Sequence, residues 1–582
     1  MPYIGQEAAT TYSTRLAVQQ FNGDGSTTAF TLNQSVSADQ DILVSVDGVV
    51  QDTSAYTVSN GTTLTFSPAP SSGTANIFVN YLGLAVGTVT HPATQGLTAT
   101  TGTFTSDIST STLGTSNFRA GVNAGNSIES GGNFNTVVGD EAGTAITTGD
   151  NNVAVGYAAL DANNTGGSNV AIGYNSLTAN TTAAGNVAVG QQTLLSNTTG
   201  ATNTAIGHTA MNQNTTGSDN TSLGVSALAN NTTAANNVAV GKNAMFANTT
   251  GAQNTAVGRL ALDANTTASE NTAVGNSALG ANTTGASNTA VGASALVANT
   301  TATRNTAVGA NAVATNTTGT RNSAVGYDAL FANTDGNYNT AMGDIALRET
   351  TTGDYNTGIG MGAGEKITTG ASNTFVGSLA GDALDDSNNN VAVGVSALSA
   401  NCGSDNVAIG KSAGASITGE HNTIMGYFAA GQLSSGSRNL CLGHESGSAL
   451  FSNGLFQLTD HNDRIVLGTT EATHAYIQID WTVVSDERDK TEIEDIDEGL
   501  SFVNKMRPIS YKFKTSREDD TPTGRKKYGF SAQDVLALEG SDAVIVDDEE
   551  DEKLKITNAH ITPILVNAIK ELSEKVAALE AK

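Results

Sequence analysis

The sequence has little of what ordinary globular proteins are built from. Its 582 residues include 2 cysteines, 7 prolines, 1 tryptophan and only 14% charged residues. The low charged fraction excludes a disordered chain held open by charge, and the apolar fraction of 38% lies below that of an ordinary globular enzyme. Two cysteines, Cys402 and Cys441, exclude a disulfide framework. We therefore expect two free thiols.

Basic residues and long apolar runs are also scarce. The chain has 26 Lys and Arg against 54 Asp and Glu, a formal net charge of −28. Such a chain repels phosphate backbones, so we predict no nucleic-acid partner. No apolar run reaches the length of a membrane span, so we expect no membrane insertion. The first residues lack the basic and apolar segments of a signal peptide, which predicts synthesis in the cytoplasm without export by the general route.

Asn, Thr, Ser and Gly take the place of these residues, and they form a repeat. The unit reads N-T-A-V-G-x-x-A-L-x-A-N-T-T-G-x-x, and its first Asn returns every 17 residues from Asn135 to Asn390. Asn406, Asn422 and Asn439 continue the series with steps of 16, 16 and 17. A fixed period over 19 units predicts a solenoid or a stacked array.

Each unit is predicted to form one coil, with a short strand such as 152–156 and a turn such as 163–166. We expect the strand valines to face the interior, together with a second inward set at 158–160. The predicted buried column contains Val155, Ile172, Val189, Ile206, Leu223 and Val240. Strand spacing of about 4.8 Å gives a rod of roughly 90 Å. The many small residues favour a thin, multi-chain rod, most simply a trimer.

The repeat carries motifs with two interpretations. Its Asn-Thr-Thr triplets match the N-glycosylation sequon, but without a signal peptide we interpret them as polar ladders and turns. Its Thr columns are interpreted as solvated coil surface rather than as sites for ice or sugar. The units loosely resemble the head repeats of trimeric autotransporter adhesins. The signal peptide and the membrane anchor of that family are missing from this sequence.

Composition divides the chain further. Residues 1–86 are predicted to form a small antiparallel β domain that attaches the protein to a partner, with strands near 29–32, 41–46, 56–59, 63–67 and 75–81. Asp47-Gly48 and Asn60-Gly61 are hairpin signals within it. Residues 87–133 are predicted to be a linker or thin shaft, 134–443 the repeats, and 444–484 a tip or cap region.

The tip region gathers aromatic residues. They are Phe451, Phe456, Tyr476 and the single tryptophan, Trp481. Exposed aromatics at a rod tip suit sugar binding, and the alternative is the core of a small cap domain. The histidines of this region have spacings of 17 and 13, which match no metal motif, so we predict no metal and no cofactor.

The last 98 residues differ sharply in charge. Residues 485–582 carry 23 acidic and 15 basic side chains, whereas the other 484 residues carry 42 charges together. Four motifs follow in order: W-T-V-V-S-D-E-R-D-K at 481–490, M-R-P-I-S-Y-K-F at 506–513, Y-G-F-S-A-Q-D-V at 528–535 and T-P-I-L-V-N-A-I-K-E-L at 562–572. Together they resemble the peptidase S74 domain, the intramolecular chaperone of phage tail spikes and tail fibres such as endosialidases.

This resemblance implies a self-cleavage site, in which Ser485 is the nucleophile and Lys490 the base of a dyad that cuts the chain once. A lysine can take the proton of a serine if burial lowers its pKa. Family practice places the cut at Ser485–Asp486, whereas a simple N-to-O acyl shift would break Val484–Ser485. The alternative is that Ser485 caps a turn and Lys490 is a solvated charge.

Other residues match the family in supporting roles. We expect Asp486 and Arg488 to position the dyad, and Gly529, Phe530 and Gln533, which match the family's Y-G-F-x-A-Q segment, to be structural.

The chain's tail shows apolar residues spaced 4, 3, 4 and 3, which is a heptad seam. They are Leu565, Ile569, Leu572, Val576 and Leu579. We interpret this seam as a trimerisation clamp, with the core helix of a monomer as the alternative.

Together these features predict a mainly β protein: an elongated homotrimeric fibre with a 17-residue β-solenoid, an N-terminal β domain and a C-terminal α+β chaperone domain ending in a coiled-coil helix. We predict a phage tail fibre in the virion tail, bound to tail proteins through its N-terminal domain and to a host surface glycan or protein. Its only predicted catalysis is self-cleavage. The alternatives are a glycan-degrading tail spike, which needs paired carboxylates, and a cellular trimeric adhesin.

Overall fold

A computed structural model describes residues 18–82, 113–448, 458–469, 472, 485–514, 519–540, 543–548 and 554–582. The protein is mainly β, as the sequence predicts. Its described α-helices lie toward the C-terminus, and a 3₁₀ turn, Asp39–Asp41, lies near the N-terminus. The chain divides into two units, Met1–Asp107 and Ile108–Lys582. Among the described residues, no helix combines the length and the apolar character needed to cross a bilayer.

Seven strands lie in the described part of the first unit, residues 18–82, and the other described strands follow in the second. The first seven are β1 Val18–Gly23, β2 Ala29–Thr31, β3 Ile42–Val46, β4 Val49–Val50, β5 Tyr56–Ser59, β6 Thr63–Phe66 and β7 Gly73–Tyr81. The solenoid strands are β8 Phe118–Ala120, β9 Thr136–Val138, β10 Val153–Val155, β11 Val170–Ile172, β12 Val187–Val189, β13 Thr204–Ile206, β14 Thr221–Leu223, β15 Val238–Val240, β16 Thr255–Val257, β17 Thr272–Val274, β18 Thr289–Val291, β19 Thr306–Val308, β20 Ser323–Val325, β21 Thr340–Met342, β22 Thr357–Ile359, β23 Thr374–Val376, β24 Val391–Val393, β25 Val407–Ile409, β26 Thr423–Met425, β27 Leu440–Leu442 and β28 Ile465–Leu467.

The first unit is an antiparallel β domain with two sheets, ordered β1-β7-β3-β4 and β2-β6-β5. The predicted hairpins form: Asp47 and Gly48 join β3 to β4, and Asn60 and Gly61 lie between β5 and β6, all four with positive φ. The strand β1 was not predicted from the sequence. A buried cluster that includes Ile42, Leu64 and Ile77 forms the core of the domain.

The strands from β8 to β28 form one parallel ladder in chain order, with one strand from each coil. Each residue pairs with the residue one repeat later, as Val153 does with Val170 and Val170 with Val187. The period of 17 residues therefore becomes a β-solenoid, as predicted. Every strand is only three residues long, so one residue points to one face and two point to the other.

The interior of the coil corrects one prediction. The strand valines do not face inward: Ile172 is 38% exposed and Leu223 47%, whereas Ala154 at the centre of β10 is fully buried. The second predicted set does face inward, since Ala159 and Leu160 are fully buried. The column of leucine or methionine fills a narrow interior, so in most coils the facing strand contributes only an alanine methyl. The larger Phe375 is buried in a coil where Gly381 takes the leucine position. The prediction followed the hydrophobicity of the residues, whereas the size of their side chains decides which of them face the interior.

Two columns of asparagine complete the interior. Asn169 donates its backbone N–H to Asn152 Oδ1 at 3.0 Å and its side-chain amide to the Ala183 carbonyl at 2.9 Å. In the second column, Asn180 donates from Nδ2 to Asn163 Oδ1 at 2.8 Å. These side chains are fully buried, and each needs its partners because an unpaired buried amide costs about 1–3 kcal/mol. The predicted polar ladders are therefore confirmed, and they fix the register of each coil on the next.

A glycine column closes each strand. Gly258 has φ +141°, and a Cβ placed on it would lie 2.3 Å from the carbonyl oxygen of Gly275 in the next coil. That conformation is open only to glycine. The closing glycine of the repeat is therefore required both by the backbone and by the close approach of adjacent coils.

The ladder extends beyond the predicted repeat region of 134–443 at both ends. At the N-terminal end β8 pairs with β9, although its residues were assigned to the linker. At the other end β28 pairs with β27 after an insertion within the predicted tip region. Arg438 holds this last coil through two bonds to Asp463, at 2.7 and 2.9 Å. The sequence pattern missed these coils because their spacing departs from 17.

The two cysteines are free thiols, as predicted, and both are buried in the solenoid. Burial raises the pKa of Cys402 and of Cys441 to about 12.

The described residues of the C-terminal region include the 3₁₀ turn Glu487–Asp489 and three α-helices: α1 Leu500–Lys505, α2 Ala532–Glu539 and α3 Asn558–Glu580. They accompany the hairpin of β29 Ile509–Lys514 with β30 Pro522–Gly529, and the short pair β31 Val546–Asp547 with β32 Lys555–Ile556. The core of this region is small and consists of Met506, Val535, Ile545, Val546, Ile561 and Ile564. This is the predicted α+β arrangement.

Candidate functional site

The structure brings the predicted serine and lysine into contact. Lys490 Nζ donates to Ser485 Oγ at 2.8 Å, and it lies 3.3 Å from the carbonyl oxygen of Ser485. The 3₁₀ turn Glu487–Asp489 lies between them and reverses the chain. One amine therefore contacts both the hydroxyl of Ser485 and the carbonyl of the Ser485–Asp486 peptide bond.

Asp486 and Arg488 shape this turn. The Asp486 carboxylate caps the turn by accepting the Arg488 backbone N–H at 3.0 Å, and it also accepts Arg488 Nε at 3.0 Å. The bonds from the Arg488 side chain hold the pKa of Asp486 below its ordinary value. The Lys490 backbone N–H donates to the Glu487 carbonyl at 3.1 Å and ends the turn. The contacts fix the turn, and the positioning roles of both residues stay predictions.

The contact between Ser485 and Lys490 is exposed to solvent in the isolated chain. A lysine acts as a base when burial disfavours its charged form. The described part of one chain thus supplies the geometry of the dyad but not the desolvation that the chemistry needs.

The other predicted motif residues lie in the fold around the hairpin. Gly529 pairs with Ile509 at the end of the hairpin, and Phe530 packs against the small core. Gln533 lies in the first turn of α2, where its Oε1 is 3.3 Å from Ser531 Oγ. Among the described residues no hydrogen bond joins these three to Ser485 or Lys490, and their structural role stays a prediction.

Residues 485–545 match the peptidase S74 family model, described as chaperone of endosialidase. This segment is an S74 domain. The match begins at Ser485 and ends before α3, so it includes the dyad, the hairpin and α2. Comparison with curated proteins and with solved structures gives no significant match. An S74 domain that follows a β-solenoid fits a virion-associated protein of the tail-fibre or tail-spike type.

The predicted heptad seam lies on α3, after the matched S74 segment, and its side chains are largely exposed in the single chain. Their exposed fractions run from 41% to 69% for Leu565, Ile569, Leu572, Val576 and Leu579. The buried face of the helix is a different one, formed by Ile561, Ile564 and Ala568. An apolar seam that its own chain leaves open is what a coiled-coil interface presents before assembly.

The hairpin of the S74 domain exposes apolar side chains, and this exposure was not predicted from the sequence. Tyr528 is 83% exposed and Phe513 58% exposed, with Lys527 Nζ lying 5.0 Å from the Phe513 ring centre. The alternation of Tyr511 and Phe513 with lysines was the available signal, because it marks a strand with one apolar face. Tyr528 pairs with Ser510 and therefore lies on the opposite face of the hairpin from Tyr511 and Phe513.

The predicted receptor-binding aromatics are Phe451, Phe456, Tyr476 and Trp481. All four lie outside the described residues. Their assignment to host binding therefore stays a prediction.

The glycan-degrading alternative needs neighbouring carboxylates, and the described coils bring carboxylates together at Glu141 and Asp161 and at Glu365 and Asp382. Glu365 and Asp382 occupy equivalent positions of adjacent coils, and Arg348 Nη1 lies 3.9 Å from Glu365 Oε1. Burial is the main cause that raises the pKa of Asp382 above its ordinary value near 3.8, and the charge of Glu365 adds to it. The ion pair with Arg348 reduces the freedom of Glu365 to act as a catalytic carboxylate.

Asp382→Asn is expected to stabilise the solenoid at neutral pH. Since the folded-state pKa of Asp382 is raised, folding favours its neutral form, and wild-type stability falls as pH rises above about 4. Asparagine carries no charge at any pH, so the variant should melt a few degrees higher at pH 7 and no higher at pH 3. Thermal unfolding at both pH values measures this. The control Asp386→Asn, at an exposed carboxylate nearby, should change little, and equal gains at both pH values would contradict the charge argument.

Proposed function

We propose that the protein is a homotrimeric phage tail fibre whose S74 domain assembles three chains and then separates itself from the rod by cutting next to Ser485. The observation that carries the proposal is the 2.8 Å contact between Lys490 Nζ and Ser485 Oγ within the matched S74 segment. In this reading Ser485 is the nucleophile and Lys490 the base.

Two routes of cleavage fit these residues. In the first, the Ser485 hydroxyl attacks the carbonyl of Val484 and transfers its proton to Lys490. The amide bond becomes an ester, and water then releases a Val484 carboxylate and a Ser485 amine. In the second, water gives its proton to Lys490 through the Ser485 hydroxyl and attacks the Ser485 carbonyl, which the Lys490 amine contacts at 3.3 Å. A Ser485 carboxylate and an Asp486 amine are released, and Ser485 relays the proton without being the nucleophile. The products differ by the chain end that carries the serine.

Assembly would supply the desolvation that the isolated chain lacks. Because Lys490 is exposed in one chain, the dyad is expected to be inactive until neighbouring chains cover it. Cleavage would then follow trimer formation and would not precede it. This order suits a chaperone, because removing the domain before the rod has formed would leave the chains unaligned.

The repetitive rod gives such a chaperone a task. Every coil resembles its neighbours, so three chains can pair out of register at little cost in local contacts. Association through the open α3 seam would align the chains at one end. The rod would then form from that end, and the cut would make assembly irreversible. The order of the units assigns virion attachment to the N-terminal β domain and host contact to the region around 444–484.

The test is the intact mass and the native mass of the purified wild type beside Ser485→Ala. We expect the wild type to be split next to Ser485 and the variant to be intact and trimeric. The fragment masses also identify which bond is cut. Ser501→Ala, at an exposed serine of α1, is the matched control and should be cleaved like the wild type.

An uncut wild-type trimer would contradict the self-cleavage and leave a folding domain. An uncut monomer would contradict the trimeric fibre as well. A Ser485→Ala chain that is cut at the wild-type position would remove Ser485 from the role of nucleophile.

A further inference from the structure

The third residue of each solenoid strand points away from the coil interior, and this column is aliphatic in every coil from β9 to β28. Its members are Val138, Val155, Ile172, Val189, Ile206, Leu223, Val240, Val257, Val274, Val291, Val308, Val325, Met342, Ile359, Val376, Val393, Ile409, Met425, Leu442 and Leu467. We call this column the aliphatic stripe. None of its members is buried in the single chain, and Met342 is 47% exposed.

Another exposed column of the solenoid provides a comparison for the stripe. The position two residues after the stripe is also exposed, and its side chains include Tyr174, Lys242 and Arg259. That column changes freely between polar, charged and aromatic residues from coil to coil. The aliphatic stripe accepts no polar or charged residue in twenty coils. If the stripe faced water as the other column does, its residues would vary in the same way from coil to coil. Because the stripe stays aliphatic, we infer that another surface covers it.

The spacing of the stripe selects its occupant. A partner that covers it must present an apolar contact at every coil, about 4.8 Å apart, over roughly 90 Å. A second copy of this chain presents apolar contacts with the same spacing, because it has the same repeat. The twenty part-exposed side chains of the stripe offer an apolar area on the order of the ~800 Å² per partner that a standard stable interface buries.

We propose that the aliphatic stripe is the interface between solenoids, where it packs against the same stripe of the neighbouring copies in register along the rod. This inference rests on the proposed homotrimer and adds which face of each solenoid turns toward the other chains. The coil interior is a column of alanine and leucine within each chain, and the stripe forms a second apolar core between chains.

Thiol accessibility in the full chain tests the proposal. Val257→Cys and Val325→Cys place a small thiol on the stripe with little change in volume, and Thr267→Cys places one at an exposed turn of the same coil as Val257. The native cysteines are buried, and peptide mapping separates their modification from that of the new thiols. Each variant is treated with a maleimide under native conditions, and its native mass is measured in the same sample.

We expect both stripe thiols to react at least about 100-fold more slowly than the Thr267→Cys thiol in a trimeric sample, and to react equally fast in denaturant. Fast reaction on the stripe of a trimer would overturn the proposed interface and leave the trimeric fibre standing. Fast reaction in a monomer would overturn both. Slow reaction in a monomer would show that the chain covers its own stripe, which also overturns the proposal.

Discussion

Replacing Lys490 by methionine is expected to leave the chain uncut, with self-cleavage slower by at least about 100-fold, the smallest typical effect of losing a general base. Methionine keeps an unbranched side chain but has no amine to contact Ser485 Oγ, which Lys490 reaches at 2.8 Å. Lys490→Arg should fail as well, because a guanidinium does not give up its proton. The pair of variants separates a base from a mere positive charge. The intact mass of the purified chain over time gives the rate.

Lys505→Met is the matched control for this prediction. Lys505 is an exposed lysine at the end of α1 in the same domain, so its loss should leave cleavage unchanged. Both Lys490 variants should have the native mass of an uncut trimer, which separates lost chemistry from lost folding. Cleavage of Lys490→Arg at the wild-type rate would show that the charge, and not the base, is what the reaction needs.

Gly258→Ala is expected to destabilise the solenoid by roughly 3 kcal/mol or more, since it combines a disfavoured backbone conformation with a clash. The added methyl would lie 2.3 Å from the Gly275 carbonyl, which belongs to backbone and has no flexible end to move. The two coils must separate there, which breaks the ladder between β16 and β17. Hydrogen exchange of the amides in these two coils and the thermal midpoint of the full chain measure the loss.

Gly280→Ala gives the contrast within the same repeat. Gly280 has no positive φ, and the equivalent position of later coils already holds Val297 and Ala314. Its substitution should change the thermal midpoint little. Equal effects of the two substitutions would show that loss of glycine as such, and not the contact between adjacent coils, limits stability.

The exact period was enough to predict the solenoid. One repeat cannot bury its own apolar residues, but repeats that stack with one parallel strand pairing each can bury them together. It was not enough to orient the strand. In Val153–Val155 both faces carry apolar side chains, so alternation gives no direction. The size of Leu160 decides it, since a leucine already fills the interior and leaves room only for Ala154.

The candidate site was predicted from motif order and not from spacing. A serine and a lysine five residues apart occur by chance in many sequences, and the four ordered motifs made Ser485 and Lys490 specific. The structure adds the turn that joins them, which depends on the Asp486 carboxylate. No sequence pattern reports the exposure of Lys490, because exposure depends on what packs over the turn.

The one-coil repeat also has an evolutionary consequence. Each coil contacts its neighbours through the same pairs, so a unit of 17 residues can be lost or duplicated without a new kind of contact. Unequal recombination between the near-identical gene segments would lengthen or shorten the rod by about 4.8 Å at a time. The length of the rod can thus change in small, tolerated steps, while the sequences on either side of the repeats stay unchanged.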